Sequence, residues 1–232
     1  MRIRALIVVS LLVFSGTSVS FGDVVVPLTL GEKDSGWDAI VADNICNAVA
    51  VDMIGSNYVL IQITKIFTDP PSAGQYTPNL IRFHQRLGDS NTVGSIRIAD
   101  ESIFNYTGSD WTDYHWEIDG SAAAFNIAAT DNSGFSVSPF TNETWGPPPT
   151  GWDANHASAL NVCDGVVSNL SWFYPGSRSG TLHIDVDLGR QNSDFTLQQM
   201  PTPEPCSMVV LGCGGMLMFL RRTRTYWRRT VR

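Results

Sequence analysis

The sequence predicts a mainly β protein, a single-domain β-sandwich of the jelly-roll or lectin-like kind with one or two short helices. Residues 181–188 alternate between apolar side chains and His183, Asp185 and Asp187, which is the period of a half-buried strand. Tyr58–Phe67 is a longer β-branched apolar run, expected as a strand buried on both faces. Many short apolar segments separated by turn-forming residues are typical of sandwiches and barrels.

The remaining elements follow from the same patterns, taken in chain order. Apolar residues at near-helical spacing predict a helix within residues 38–53, and a second short helix is predicted within residues 154–162. Further short strands are predicted at residues 95–99, 114–118, 122–128 and 195–198. Clusters of glycine, proline, asparagine and aspartate at residues 68–72, 107–110, 131–134 and 146–149 predict the turns between them.

The amino terminus has the composition of a secretory signal peptide. Arg2 and Arg4 are followed by an apolar run over residues 5–14 and then by small residues. This order of basic, apolar and small residues is that of a cleaved signal rather than a membrane span. We therefore assign residues 1–22 to a signal peptide, residues 23–200 to the sandwich domain and residues 201–232 to a separate tail.

Charge distribution excludes one class of partner. Eight of the 15 basic residues lie outside residues 23–205, so seven remain in this body against 22 acidic residues, a formal charge of −15. A surface of this sign repels nucleic acid and anionic lipid over about 10 Å at moderate ionic strength. We expect no nucleic-acid partner, whereas solubility, cation binding and a neutral or cationic partner are all compatible with this charge.

The tail combines a short apolar segment with an arginine cluster. The 13 residues 208–220 are apolar but include three glycines, and as a helix they would span only about 20 Å, against the ~30 Å of a bilayer core. Arg221, Arg222 and Arg224 would stay on the cytoplasmic side and stop transfer. The segment suits either transient membrane contact before a cleavage step or a lasting tail anchor.

A resemblance to a known family bears on this choice. Pro203, Glu204 and Pro205, followed by the apolar run and the arginine cluster, resemble the PEP-CTERM sorting domain of exported bacterial proteins. Members of that family look like substrates of an exosortase, a membrane protease that acts near the motif, and occur in bacteria that make extracellular polysaccharide and biofilm. The resemblance implies an exosortase-type partner and a location in the cell envelope, at the cell surface or in the extracellular matrix.

Two cysteines of the body, Cys46 and Cys163, are candidates for a disulfide. An exported domain lies in an oxidising compartment, and a bond closing so long a loop would stabilise the fold by about 3–5 kcal/mol. Two free thiols remain the alternative, because a body of this length can build a core without a covalent link. Their spacing excludes a paired-cysteine zinc cluster.

Carboxylates raise the question of catalysis and of calcium. Asp185 with Asp187, and Glu117 with Asp119, are spaced for about 6–7 Å along a strand, a separation that glycoside hydrolases use and that any acidic strand face also presents. Weak calcium ligands are candidates at Asp110, Asp113 and Asp119. The four histidines are scattered singly, at positions 84, 115, 156 and 183. No catalytic residue is assigned, and calcium is the one cofactor left open.

Tryptophans of the body provide the remaining signal. Five of them, several beside loops, are candidates either for the core or for sugar binding: Trp111, Trp116, Trp145, Trp152 and Trp172. Together these observations favour an exported cell-surface or matrix protein without catalysis, with extracellular polysaccharide as a candidate ligand. A secreted glycan-active hydrolase with a carboxylate pair is the alternative, and a purely structural coat protein is the third reading.

Overall fold

The computed structural model describes residues 22–41, 47–72, 76–176, 180–190 and 193–203. These residues form two curled sheets that pack into a sandwich-like fold, mainly β with a single α-helix in the described part, so the predicted fold class is confirmed. In chain order the elements are β1 (Val24–Leu30), β2 (Lys33–Val41), β3 (Asn47–Ile54), β4 (Tyr58–Phe67), β5 (Asn79–Gln85), a 3-10 turn (Asp89–Asn91), β6 (Ser95–Asn105), β7 (Trp111–Asp119), β8 (Ala123–Asn126), α1 (Ile127–Ser133), β9 (Asn142–Trp145), β10 (His156–Ala157), β11 (Ala159–Cys163), β12 (Trp172–Phe173), β13 (Leu182–Val186) and β14 (Phe195–Pro203).

Each sheet contains seven of the described strands. The first has the order β1-β2-β5-β14-β7-β11-β9, and the second has the order β10-β8-β13-β6-β4-β3 with β12 paired to β6. Neighbouring strands are antiparallel except for β4 and β6, which run parallel. The last described strand, β14, lies between β5 and β7 and therefore has partners on both sides.

Side-chain alternation predicts the core correctly where strands have one buried face. In β13, Leu182, Ile184 and Val186 are buried and the two residues between them are half-buried. In β4 the odd-numbered positions from Val59 to Phe67 are buried, while the opposite face is only partly covered and exposes Gln62. The expectation that Tyr58–Phe67 is buried on both faces is thus wrong for its outer face.

Both predicted helices are wrong. Residues 38–53 contribute instead to β2 and β3, which belong to different sheets, and the segment 42–46 between them lies outside the described residues. Each of the two strands has apolar residues two apart. When the two patterns are taken as one continuous segment, the apolar residues fall three to four apart, which is the spacing of a helix. Residues 154–162 form β10 and most of β11, where Leu160 and Val162 alternate into the core; tertiary pairing with β7 overrides their helical propensity.

The helix that does form begins inside a predicted strand. β8 ends at Asn126, whose side-chain oxygen accepts a hydrogen bond from the backbone N–H of Ala129 at 2.9 Å and so caps α1. Gly134 ends the helix with φ of 76°, a left-handed conformation that glycine adopts without strain. The predicted strand over residues 122–128 is therefore correct only as far as Asn126.

A group of polar side chains lies inside the sandwich, and we call it the core polar cluster: Lys65, Glu101, Tyr114, Trp116 and Gln199. The first two are on β4 and β6 of one sheet, and the others are on β7 and β14 of the opposite sheet. Nζ of Lys65 lies 3.0 Å from Oε1 of Glu101, and both side chains are fully buried. The two sheets thus meet through hydrogen bonds as well as through apolar contact.

Several predictions fall on residues 1–21 and 204–232, which lie outside the described residues. They are the signal peptide, Glu204 and Pro205 of the motif, the apolar segment, and the arginines Arg221, Arg222 and Arg224. Within the described residues, β14 extends to Pro203, three residues past the expected domain boundary. None of the helices in the described part has the length and apolar character needed to span a bilayer.

Candidate functional site

Four aromatic side chains form a continuous group on the outer face of the second sheet, here called the aromatic strip: Tyr106, Phe104, Trp172 and Tyr174. Strand pairing creates it, because Trp172 of β12 lies opposite Phe104 of β6. Their neighbours Phe173 and Ile103 point the other way and are buried in the core. Strand alternation therefore places Phe104 and Trp172 on the outer face and their neighbours Ile103 and Phe173 on the inner face.

Ring geometry in the strip is that of stacked neighbours. Phe104 and Tyr106 have centroids 6.3 Å apart with planes 17° from parallel, and Trp172 and Tyr174 are 5.9 Å apart at 15°. Phe104 joins the two pairs through Trp172, with centroids 4.9 Å apart. Offset stacking of this kind stabilises aromatic pairs by about 0.5–1.5 kcal/mol each, so the four rings support one another as a surface.

The strip is exposed to solvent. Tyr106 is 56% exposed, Trp172 43% and Tyr174 46%. Leu170, beside them in the loop before β12, is 60% exposed, and its backbone N–H donates to the carbonyl of Asn105 at 2.7 Å. Contiguous exposed apolar surface is uncommon in monomeric soluble proteins and marks interaction sites.

The loops beside the strip are held by buried and surface hydrogen bonds. Asn105 is fully buried, and its amide donates to the carbonyls of Ser109 and Val167 at 2.9 and 3.1 Å. Across the surface, the side chain of Asn169 accepts from the N–H of Gly108, and Asp110 accepts from the N–H of Asn169. The aromatic strip is therefore pre-organised by its surroundings, which lowers the entropy lost when a ligand binds.

The candidate tryptophans separate into three groups. Trp111 and Trp116 are fully buried in the core, and Trp145 is a partly buried side chain packed against it. Trp152 is half-buried near the surface, where its ring is contacted by His156 at 4.6 Å and lies under Arg190 at 6.0 Å. Trp172 is the one of the five that belongs to the aromatic strip.

A second polar group surrounds Trp152. Nδ1 of His156 lies 2.6 Å from Oδ1 of Asp153, and its Nε2 lies 3.5 Å from Oδ2 of Asp185. The hydrogen bond from His156, together with the backbone N–H of Asn155, lowers the pKa of Asp153. The ring of Trp152 is thus contacted by a histidine and an arginine side chain, whereas the rings of the strip contact one another.

The two predicted carboxylate pairs differ in their locations and hydrogen-bond partners. Asp185 accepts a hydrogen bond from Asn126 at 2.7 Å, whereas Asp187 lies beyond the end of β13 and pairs with Arg190 at 3.0 Å. Glu117 and Asp119 are both exposed on the outer face of the first sheet, on β7. The two pairs lie on different sheets and do not form one acidic site.

The three calcium candidates do not converge. Asp113 and Asp119 are six residues apart on β7, about 20 Å along an extended strand, so they cannot share one ion. Asp110 is engaged with Asn169, and Asp113 accepts a hydrogen bond from Thr202. Within the described ranges, no group of three or more histidine, cysteine or acidic side chains is arranged to hold a metal ion.

Cys163 lies at an exposed position at the end of β11. Cys46 lies outside the described residues, so the disulfide between them stays a prediction. The strip residues Phe104, Tyr106 and Tyr174 were not predicted as site residues. Their signal was present in the sequence, because aromatic residues recur two apart at positions 104 and 106 and again at 172 and 174, which places each pair on one strand face.

Comparison of the chain with models of protein families, with curated proteins and with solved structures finds no match in any of the three.

Proposed function

We propose that this protein is a non-enzymatic, exported cell-surface or matrix component that binds polysaccharide through the aromatic strip. The observation that carries the proposal is the solvent exposure of Tyr106, Trp172 and Tyr174 in a continuous group of four aromatic rings on one sheet face. Sugar rings present C–H faces that pack on aromatic planes, and burying each aromatic face against them removes apolar surface from water. A row of four rings suits an extended chain rather than a single small molecule.

Charge narrows the class of polysaccharide. The body has a formal charge of −15, and this field repels polyanions. Neutral or cationic polysaccharide is therefore the ligand, and anionic polymers and anionic membranes are disfavoured. The strip itself contains no charged side chain, so its contacts with a neutral glycan involve no desolvation of an ion.

Export and processing are part of the same proposal. The basic, apolar and small-residue order at residues 1–22 and the tail from Pro203 onward direct the chain out of the cell and to an exosortase-type protease. Since β14 ends at Pro203, processing in the tail beyond that residue would leave the two sheets complete.

Binding is tested by retention of the purified protein on insoluble neutral and cationic polysaccharides, with a polyanion as comparison. Trp172→Ala and Tyr174→Ala each remove one exposed ring. By analogy with the ~1–3 kcal/mol measured for stacking of bases on aromatic side chains, we expect affinity to fall by about five- to 150-fold. Trp152→Ala is the matched control, because this partly exposed tryptophan lies outside the strip and should leave retention unchanged.

The same experiment separates the other readings. Strip variants that bind as well as the wild type would refute the proposed site, and release of reducing ends would favour a hydrolase. Loss of retention in EDTA would add a cation to the binding site. Export is tested separately by the intact mass of the protein recovered from its native host; a product that keeps residues 221–232 would contradict processing in favour of a lasting anchor.

A further inference from the structure

The core polar cluster brings together three functional groups of complementary reactivity. Oε1 of Glu101 accepts hydrogen bonds from Nζ of Lys65 at 3.0 Å and from Nε2 of Gln199 at 2.8 Å. Its other oxygen, Oε2, accepts from the indole N–H of Trp116 at 3.0 Å. An amine, a carboxylate and a carboxamide thus share one fully buried site, and the carboxylate touches both nitrogens.

The carbonyl end of the carboxamide has its own donor. The hydroxyl of Tyr114 donates to Oε1 of Gln199 at 3.2 Å, and Tyr114 is fully buried as well. A hydrogen bond at this oxygen polarises the carbonyl and stabilises negative charge that develops on it. The cluster therefore contains a nucleophile, a proton carrier, an electrophile and an oxyanion donor.

We propose that Lys65 and Gln199 are joined by an intramolecular amide bond, formed by the chain itself with release of ammonia, and that Glu101 transfers the protons. Glu101 takes a proton from the ammonium group of Lys65, and the neutral amine attacks Cδ of Gln199. The carbonyl electrons move to Oε1, where Tyr114 donates its hydrogen bond. Glu101 returns the proton to Nε2 as the C–Nε2 bond breaks, and ammonia leaves with the second proton from Nζ as ammonium.

Electrostatics of the buried site support the roles of Lys65 and Tyr114. Burial lowers the pKa of Lys65, against the opposing effect of the Glu101 charge, and so favours the neutral amine that can attack. Burial and the nearby charge of Glu101 raise the pKa of Tyr114 well above its usual range, so its hydroxyl keeps the proton that it donates. The exclusion of water from the core also protects the product from hydrolysis.

Nζ of Lys65 and the carboxamide of Gln199 are near each other but not yet at bonding distance. Because Nζ and Nε2 share one acceptor oxygen, they lie within two hydrogen-bond lengths, at most about 6 Å apart. The atom attacked is Cδ of Gln199, which is bonded to Nε2 at about 1.3 Å. Attack requires about 3–3.5 Å between Nζ and this carbon, so the Lys65 side chain must move toward Gln199 before the bond forms. Glu101 is the poorer electrophile of the two carbonyl groups, because a carboxylate that accepts three hydrogen bonds resists addition of an amine, whereas a polarised carboxamide accepts it.

Mass spectrometry of the purified full-length protein tests the bond. All reacting groups belong to the chain, so the bond should form in a heterologous host, and the intact mass should be lower than the sequence mass by one ammonia. Proteolysis followed by tandem mass spectrometry should recover a branched peptide linking Lys65 to Gln199, with no tryptic cleavage after Lys65. The branched peptide distinguishes this product from loss of ammonia elsewhere in the chain.

Variants assign the roles. Glu101→Gln keeps the shape of the side chain but removes the proton carrier, and Lys65→Met removes the nucleophile; both should lose the branched peptide. Gln198→Ala is the matched control, since Gln198 neighbours Gln199 on β14 but is only partly buried and pairs across to Glu117 and Leu80; the bond should survive in it. Wild-type protein with Lys65 and Gln199 unmodified would overturn the proposal without any variant, and a Lys65–Glu101 link with loss of water would overturn its chemistry.

Discussion

Replacing Glu101 with leucine should destabilise the fold strongly, because three buried donors lose their acceptor. Nζ of Lys65, Nε1 of Trp116 and Nε2 of Gln199 all donate to this carboxylate. An unpaired buried charge is destabilising by about 3–5 kcal/mol, and each unsatisfied buried donor by about 1–3 kcal/mol. We therefore expect Glu101→Leu to lose about 5 kcal/mol or more, a large part of the 5–15 kcal/mol typical of domains.

The double variant Lys65→Met with Glu101→Leu isolates the contribution of the buried cation. It leaves the same Trp116 and Gln199 donors unsatisfied but removes the charge, so it should be more stable than Glu101→Leu by about 3 kcal/mol. Neither variant can form the proposed amide bond, so the comparison between them is independent of that bond. Urea denaturation followed by tryptophan fluorescence measures both, with equal slopes required for the comparison.

The pH dependence of the single variant sharpens the test. Burial lowers the folded-state pKa of Lys65, and loss of Glu101 removes the charge that opposes this shift. The unfolded chain then binds more protons than the folded chain at every pH between the lowered pKa and the ordinary lysine value of about 10.4, so stability rises with pH across that window. The double variant should lack this rise. A single variant within about 1 kcal/mol of wild type, or no more pH-dependent than the double, would refute the electrostatic account of the cluster.

Three further predictions concern other contacts. Burial and the charge of Arg97 lower the pKa of His183, so the free energy of unfolding should fall as pH decreases below about 6.5. His183→Gln should reduce the difference in stability between pH 5 and pH 7 in urea denaturation. An unchanged pH dependence in this variant would contradict the assignment to His183. Asn126→Ala removes both the α1 cap and the hydrogen bond to Asp185 and should cost about 1–2 kcal/mol by urea midpoint, with Asn132→Ala inside the same helix as a control. Arg86→Ala breaks ion pairs to Asp34 and Asp38. Because these groups are partly exposed, we expect the free energy of unfolding to fall by about 1 kcal/mol, and by less at high salt. A loss of stability that does not depend on salt would indicate that Arg86 acts through packing instead.

Predictability from the sequence depended on how local each signal was. Residues 181–188 could be assigned because alternation is carried within one strand. Tyr58–Phe67 could be assigned as a strand from its β-branched apolar run, although only one of its faces is buried. Residues 38–53 could not, because two strands of different sheets contributed one apparent helical pattern. Pairing partners decide such cases, and partners are distant in sequence.

The aromatic strip and the core polar cluster also depend on strand pairing that local sequence does not indicate. Trp172 was a candidate from composition, but its stacking on Phe104 depends on the pairing of β12 with β6, which nothing local indicates. For the core polar cluster one local signal existed: Lys65 occupies the same strand face as Val59, Ile61 and Ile63, and a lysine on a buried face needs a buried partner. The identity of that partner, Glu101, depends on the parallel register of β4 and β6, which the sequence does not indicate.

The position of β14 has a mechanical consequence. This strand is paired with β5 as far as Gln199 and with β7 as far as Pro203, within the first residues of the tail. A load applied through the tail would pull along the strand, while ladder hydrogen bonds lie across it. The bonds to β7 would have to shear together, and those to β5 would resist as well from Gln199 inward. An edge strand such as β1, paired on one side, could instead peel away one bond at a time. The tail therefore continues from a strand whose hydrogen bonds resist a pulling force better than those of an edge strand.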